Sequence, residues 1–220
     1  MFSDEFCSRD INASVSFVER QFPVIRVDVS QIEFLATVLS PTLYNEPLLK
    51  YLFPDEEMRR TVLLWFFRSI ARSGQVSGEI YVTERIEDGA VWISRGDTVP
   101  LEYLVRTGIF TTPFKSGWSS LRRCINLCAQ LKAAHDRLVK GTHWYLNTLG
   151  LKPSKPGNTI ASGLLQPLLS RADLDGLPCY LETFREIDLP FYEDFGFRVE
   201  GAGRISTGGL SFWAMMRPPQ

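Results

Sequence analysis

The 220-residue sequence lacks the features of a membrane-spanning or nucleic-acid-binding chain. Its longest stretch without a charge, residues 156–170, is only 15 positions long and contains two prolines, so we expect no transmembrane helix. Acidic residues 4 and 5 stand where a secretory signal would carry basic ones, which predicts a cytoplasmic protein. The 24 basic and 25 acidic residues give a net charge of −1, without the basic excess that nucleic acids or anionic membranes attract.

Cysteine and histidine are also scarce. None of the four cysteines forms a CxxC unit, and a cytoplasmic domain of this size needs no disulfides. Cys124, Cys128 and His135 would share one face of a helix, but zinc requires a fourth ligand and His143 is the only other histidine. We therefore expect no metal, and we interpret the cysteines as small apolar residues that face a core.

The residues that are present predict one α/β domain, residues 24–218, with an N-terminal extension, residues 1–23, packed on it. The hydrophobic content of 45% is enough to fill its core. Alternating or continuous apolar runs predict strands, and apolar residues with helical spacing predict helices. The predicted strands are residues 24–29, 79–84, 90–94, 143–151, 178–184, 197–200 and 210–217. The predicted helices are residues 30–40, 42–53, 56–71, 118–140, 159–175 and 188–195. Pro41 would stop the first of them, and Ser73-Gly74 would end the third.

The charge-free strand 143–151 leads through the turn KPSKPG into a helix. Free backbone N–H groups at a helix start, with the positive end of its dipole, form an anion site, and Lys152 and Lys155 stand beside it. Neither a Walker loop nor a GxGxxG fingerprint occurs in the chain. A phosphate-bearing ligand is therefore one interpretation of this segment, and an ordinary strand–helix connection is the other.

Several segments in a fixed order carry a resemblance to a known family. They are WYLNTLGL (144–151), the helix 160–176 with Pro167 at its middle, LPCYLET (177–183), LPFYEDFGF (189–197) and FWAMMRP (212–218). Together they resemble the Gcn5-related N-acetyltransferase superfamily, and more narrowly puromycin N-acetyltransferase and its relatives. The match is specific over residues 143–218 and loose over residues 24–142.

The resemblance implies a twisted, mixed and mostly antiparallel sheet flanked by helices. Its fourth and fifth strands, 143–151 and 178–184, would splay apart to admit acetyl-coenzyme A as co-substrate. The cofactor-binding positions that it implies are Leu149, Gly150 and Leu151 along the thioester and pantetheine arm, Gly157, Asn158, Thr159, Ile160, Ala161 and Ser162 at the pyrophosphate, and Asp188.

The chain departs from the family pattern at three positions in or next to these segments. Pro156 has no N–H to offer a phosphate, Thr159 replaces a glycine, and Asp188 replaces an asparagine that commonly helps hold the cofactor. These departures keep open a second hypothesis, a non-catalytic or regulatory protein that binds acyl-coenzyme A.

The resemblance also implies the catalytic residues of an acyltransferase that acts on a primary amine of a small molecule. Tyr192 would stand near the sulfur as general acid, and Glu182 would orient the amine or relay its proton. An alkylammonium with a pKa near ~10 must lose a proton before it attacks, and a thiolate near ~8.5 must be stabilised as it leaves. Glu102, Glu186 and water remain alternatives for the base.

The acceptor pocket would come from the front half of the chain. Aromatic residues there favour an apolar or aromatic amine as acceptor. They are Trp65, Phe66, Phe110, Phe114 and Trp118. Trp65 and Phe66 are more simply interpreted as core residues. We expect no nucleic-acid or membrane partner, and both a monomer and a homodimer fit the sequence.

Overall fold

The fold centres on a seven-stranded sheet with helices on both faces. The structure is a computed structural model, and it describes residues 24–27, 31–95, 112–152 and 157–220. The strands are β1 (Val24–Arg26), β2 (Gly78–Thr83), β3 (Gly89–Arg95), β4 (His143–Gly150), β5 (Cys179–Thr183), β6 (Arg198–Arg204) and β7 (Ser211–Arg217). The helices are α1 (Ile32–Thr42), α2 (Pro47–Leu52), α3 (Glu56–Ser77), α4 (Thr112–Leu138), α5 (Gly157–Leu174) and α6 (Leu189–Glu193).

The strand order is β1-β2-β3-β4-β5-β7-β6. Every neighbouring pair in this order is antiparallel except β4 and β5, which are parallel. A parallel pair requires a long crossover, and α5 supplies it. The predicted fold class, a mixed and mostly antiparallel sheet flanked by helices, is therefore confirmed.

Two apolar cores lie on opposite faces of the sheet. On one face, α1, α2, α3 and part of α4 pack against inward residues of β2 and β3, such as Ile80 and Val91. On the other face, α5 buries Ile160, Leu164 and Leu168 against Trp92 and its neighbours. Adjacent residues Val91 and Trp92 enter different cores because side chains alternate along a strand.

Helix α3 begins where the sequence predicts and ends later. Asp55 caps it, since its Oδ1 accepts the Met58 N–H at 2.7 Å. The prediction that Ser73-Gly74 ends this helix is wrong, because α3 continues to Ser77. Gly74 instead allows close packing on the sheet: a Cβ there would lie 2.6 Å from Cγ1 of Val91.

Three other helices also differ from prediction. Pro41 does not stop α1 but lies in its last turn, and α2 is a short helix that begins with Pro47 in place of the predicted 42–53. The predicted start of a helix at residue 118 corresponds to a break inside α4, where Gly117 has φ +78°.

The prediction that the cysteines face a core holds for Cys179, which is buried. It is wrong for Cys128, which is exposed.

Candidate functional site

Strands β4 and β5 part midway along their length. Their parallel pairing covers only Trp144 with Cys179, Tyr145 with Tyr180, and Leu146 with Leu181. Beyond these pairs, residues 148–150 pair with β3 alone, and residues 182–183 pair with β7 alone. The predicted splay of the fourth and fifth strands is therefore present.

A bulge in β4 lies at the point of parting. Leu146 pairs with Trp92 and Thr148 with Val91, which leaves Asn147 as the extra residue between them. A bulge bends its strand and increases the local twist, so it turns the end of β4 relative to β5. The Thr148 hydroxyl donates to Oδ1 of Asn147 at 3.0 Å.

The predicted cofactor residues Leu149 and Gly150 lie at the open end of β4, and Leu151 follows directly after the strand. Leu149 and Leu151 direct their side chains into the second core, below α5. Gly150 lies against Leu39 of α1, where a Cβ would not fit. Because the side chains point away from the sheet plane, the backbone edge of this segment faces the gap left by β5.

The predicted pyrophosphate residues form the first turn of α5. Ile160 and Ala161 are buried in the second core, whereas Thr159 is exposed and Ser162 is half-buried. Among the described side chains of this turn, that of Thr159 is therefore the most accessible to a ligand, and the backbone N–H groups of the helix start lie beside it. Lys155 and Pro156 lie outside the described residues, as do the side chains of Gly157 and Asn158.

Lys152, the other predicted cation, is already paired. Its Nζ lies 3.2 Å from Oε1 of Glu87, on the turn between β2 and β3. Its ammonium charge is thus partly balanced within the chain.

Tyr192 lies on α6 and packs against the same core as Leu149 and Leu151. Its ring has edge contacts with Phe191 and Phe197, at centroid distances of 5.0 and 6.2 Å. Burial raises the pKa of the Tyr192 hydroxyl, and the carboxylates of Asp188 and Glu46 raise it further. The phenol therefore stays protonated at neutral pH and is a hydrogen-bond donor.

Asp188 comes just before α6, and Arg185 links it to Glu46, the residue that precedes α2. The guanidinium of Arg185 lies 3.6 Å from Asp188 and 3.1 Å from Glu46. Burial raises the pKa of Asp188, and the Arg185 charge partly offsets this effect. This carboxylate is thus engaged within the chain.

Glu182 is the first residue of β5 beyond the point of parting. It points to the opposite face from Leu181 because strand residues alternate. Its Oε2 is buried. Glu186, a competing candidate base, is exposed on the turn before α6, and Glu102 lies outside the described residues.

Of the five aromatic residues predicted for the acceptor pocket, the structure describes the side chains of three, and it places two of them on a core and one at the surface. Trp65 and Phe66 pack on the first core, with Phe66 in edge contact with Phe53 and Phe67. Trp118 is 77% exposed at the break in α4. Phe110 lies outside the described residues, as does the side chain of Phe114. A surface groove of about 480 Å³ between α4 and β6 contains none of the predicted site residues.

No family model matches the chain. An uncharacterised N-acetyltransferase of Schizosaccharomyces pombe is 23% identical over 179 residues, which are 78% of this chain and 72% of that protein. A Corynebacterium glutamicum structure, named histone acetyltransferase HPA2 and related acetyltransferase, superimposes with a TM-score of 0.62 at 23% identity, over 90% of this chain and 96% of that one. The Drosophila melanogaster polyamine N-acetyltransferase, which forms N-acetylagmatine, gives a TM-score of 0.60 at 16% identity, over 89% and 99% of the two chains.

The chain has the Gcn5-related N-acetyltransferase fold. The resemblance seen in the sequence is thereby confirmed at the level of the superfamily, and these relatives support an acyltransferase. The narrower resemblance to puromycin N-acetyltransferase stays a prediction.

Within this N-acetyltransferase fold, the two histidines form a structural pair. Nε2 of His135 lies 2.9 Å from Nε2 of His143, and Nδ1 of His143 lies 2.9 Å from the Gly141 carbonyl. The pair connects α4 to the start of β4. Among the described residues, no group of three or more histidine, cysteine or acidic side chains could hold a metal ion. None of the described helices is both long and apolar enough to cross a membrane.

Sequence reasoning missed Asn147 and Asp88, two polar residues beside the open end of β4. The only signal for Asn147 was an Asn-Thr pair inside an otherwise apolar strand. Asp88 belongs to a predicted turn, where an aspartate is ordinary. The contact that distinguishes it joins residues 64 positions apart, which no local pattern shows.

Proposed function

We propose that the protein transfers an acetyl group from acetyl-coenzyme A to a primary amine of a small molecule, by direct attack within a ternary complex. The observation that carries this proposal is the parting of β4 and β5 after Leu146 and Leu181. A strand edge without a neighbour can pair with an extended amide-containing chain, and the pantetheine arm is such a chain. The gap also lies next to the start of an 18-residue helix, whose N–H groups suit a pyrophosphate.

Each part of the co-substrate has residues suited to it. The backbone of Leu149 to Leu151 would pair with the pantetheine amides, and the first turn of α5 would receive the pyrophosphate. Bound there, acetyl-coenzyme A supplies an activated acyl group with a thiolate as leaving group. The chain would orient that group and exclude water around it.

The chemistry requires one proton acceptor and one hydrogen-bond donor. The amine nitrogen bonds to the thioester carbonyl carbon, the carbon–sulfur bond breaks, and coenzyme A leaves with the electron pair on sulfur. Glu182, or water that it orients, would take the amine proton. Tyr192 would donate a hydrogen bond to the sulfur, a role that fits its raised pKa better than full proton transfer.

A covalent acyl-enzyme on Cys179 is disfavoured. Burial raises the pKa of this thiol to about 12. The Arg217 charge lowers the pKa and the Asp173 carboxylate raises it, so the neighbouring charges do not reverse the effect of burial. A buried neutral thiol is a poor nucleophile. Direct transfer between the two substrates therefore remains the simpler route.

The deciding experiment incubates the protein with acetyl-coenzyme A and a panel of amines and titrates the released thiol. The panel includes arylalkylamines, diamines and agmatine, since one protein with this fold forms N-acetylagmatine. We expect amine-dependent thiol release with at least one of them. Release that stays at background with every amine, despite confirmed binding of coenzyme A, would contradict a transferase.

The second hypothesis, a non-catalytic binder of acyl-coenzyme A, is favoured by two features of the cofactor side. Thr159 is exposed at the start of α5 where the family has a glycine, and Asp188 supplies a carboxylate where the family has an asparagine. Calorimetry with coenzyme A separates the hypotheses. Binding together with turnover supports the enzyme, and binding without turnover supports the binder.

A further inference from the structure

The turn between β2 and β3 buries a carboxylate beside the open end of β4. Asp88 is completely buried, and its Oδ1 accepts the backbone N–H of Lys152 at 2.6 Å. An aspartate is rarely buried so fully unless its side chain is paired or hydrogen-bonded. The partner here is a backbone N–H, so this contact fixes the path of the main chain.

The contact continues the ladder between β3 and β4. The last regular pair joins Gly89 to Gly150, and in an antiparallel register the next opposing positions are 88 with 151 and 87 with 152. At these positions side chains replace the backbone ladder: Asp88 binds the Lys152 N–H, and Glu87 pairs with the Lys152 ammonium. The chain is thus held for two residues beyond the end of β4.

The turn that presents Asp88 is strained. Ile86 has φ +51°, a left-handed conformation that β-branched residues rarely adopt. The hydroxyl of Thr83 stabilises the turn by accepting the N–H groups of Glu87 and Asp88 at 3.1 and 3.3 Å. Strain that persists because its surroundings enforce it often serves a function nearby.

We propose that Asp88 is a positioning residue for coenzyme A, which holds the backbone of Leu149 to Lys152 straight so that its open edge can pair with the pantetheine arm. This inference rests on the proposed function. Beyond Leu146 the strand has lost β5 and is supported on one side only, by β3. Asp88 extends that support past the ladder, over the segment that leads to the pyrophosphate turn.

The test compares Asp88→Ala, which removes the acceptor, with Asp88→Asn, which keeps an oxygen in the same place. Asp88→Ala should raise KM for acetyl-coenzyme A and Kd for coenzyme A about 10-fold, the range expected for loss of a charge-assisted hydrogen bond. In the same variant, kcat at saturating acetyl-coenzyme A and KM for the amine should change less than about 2-fold. Asp88→Asn should restore most of the affinity for coenzyme A.

Glu84→Gln serves as the matched control, since it alters an exposed carboxylate of the same hairpin. It should leave all parameters unchanged. Equal coenzyme A affinity in Asp88→Ala and the wild type would overturn the proposal. A fall in kcat and in both affinities together with the melting temperature would also overturn it, because that pattern indicates a merely structural role.

A measurement on the wild type covers the case in which Asp88→Ala does not fold. The Lys152 amide should exchange slowly with deuterium, although it lies beyond the last strand pair. Unprotected exchange at Lys152 would overturn the proposal without any variant. If the wild type binds no coenzyme A, the proposed function itself fails, and this result differs from normal binding that is indifferent to Asp88.

Discussion

At the scale of single residues, Tyr192 shows how burial selects one catalytic role over another. Its raised pKa keeps the phenol neutral, so it donates a hydrogen bond and resists ionisation. Tyr192→Phe should lower kcat about 100-fold, at the lower end of the range for general acid catalysis, and leave both KM values nearly unchanged. Because burial and the carboxylates of Asp188 and Glu46 raise its pKa, the wild-type kcat should show no alkaline decline from this group up to about pH 9.

Steady-state kinetics from pH 6 to about pH 9 with acetyl-coenzyme A in excess would measure both effects. Tyr81→Phe is the control, because its hydroxyl donates to Glu79 within β2 and should leave kcat intact. If Tyr192→Phe retained wild-type kcat, the hydroxyl would have no part in the reaction.

Glu182 permits a second test at the same scale. Glu182→Gln should lower kcat/KM for the amine about 100-fold at neutral pH, and the loss should shrink as the amine deprotonates by itself at higher pH. Glu186→Gln, which alters an exposed carboxylate three residues after β5, should have little effect. Equal, small losses in both variants would point to water as the base.

At the scale of elements, the patterns that predicted well were those a short segment determines by itself. The apolar run 143–151 and the helical spacing of Ile160, Leu164 and Leu168 report burial directly, and β4 and α5 lie where they predict. The predicted end of α3 was wrong because a glycine in a helical pattern can either end the helix or allow it to pack closely on a neighbouring strand. Only the contact with Val91 on β3 shows that Gly74 does the second.

Gly74 makes that distinction measurable. On an isolated helix, Gly→Ala is worth up to about 1 kcal/mol of stability. Here the new Cβ would lie 2.6 Å from Cγ1 of Val91, a short and stiff side chain. Gly74→Ala should therefore lower the free energy of unfolding by about 1–3 kcal/mol. Urea titration measures this free energy of unfolding, and Ser77→Ala, at the exposed end of α3, is the control. If Gly74→Ala were more stable than the wild type, the sheet would have to move to accommodate the methyl group.

At the scale of the whole molecule, the sequence could predict the sheet and its helices but not the contacts between distant segments. The parting of β4 and β5, the bulge at Asn147 and the contact of Asp88 with Lys152 all depend on which strands become neighbours. Hydrophobic periodicity reports that a residue is buried, not what lies against it. The parting of β4 and β5 could be predicted only through the resemblance, because a family's shared fold carries information on long-range contacts that one sequence does not.

The same long-range organisation determines how the molecule responds to acid. Asp173 of α5 accepts two hydrogen bonds from the buried Arg217 at the end of β7, at 2.6 and 2.8 Å, and one from the Gln220 N–H. The Arg217 hydrogen bonds hold the pKa of Asp173 below its ordinary value. A depressed folded-state pKa stabilises the fold above the ordinary value near 3.8, and this contribution is lost as the pH falls through the folded-state pKa.

Asp173→Asn should therefore lower the free energy of unfolding by about 3 kcal/mol at pH 7, because the Arg217 charge stays buried without its partner. The difference from the wild type should narrow below about pH 4, where the wild-type carboxylate becomes protonated and also loses the pair. Thermal unfolding across this pH range measures it, with the exposed Asp194→Asn as the control. If the difference in unfolding free energy between the two proteins stayed constant down to the lowest pH, Asp173 would stabilise the fold by packing. An ion pair with Arg217 instead requires this difference to shrink as the wild-type carboxylate becomes protonated.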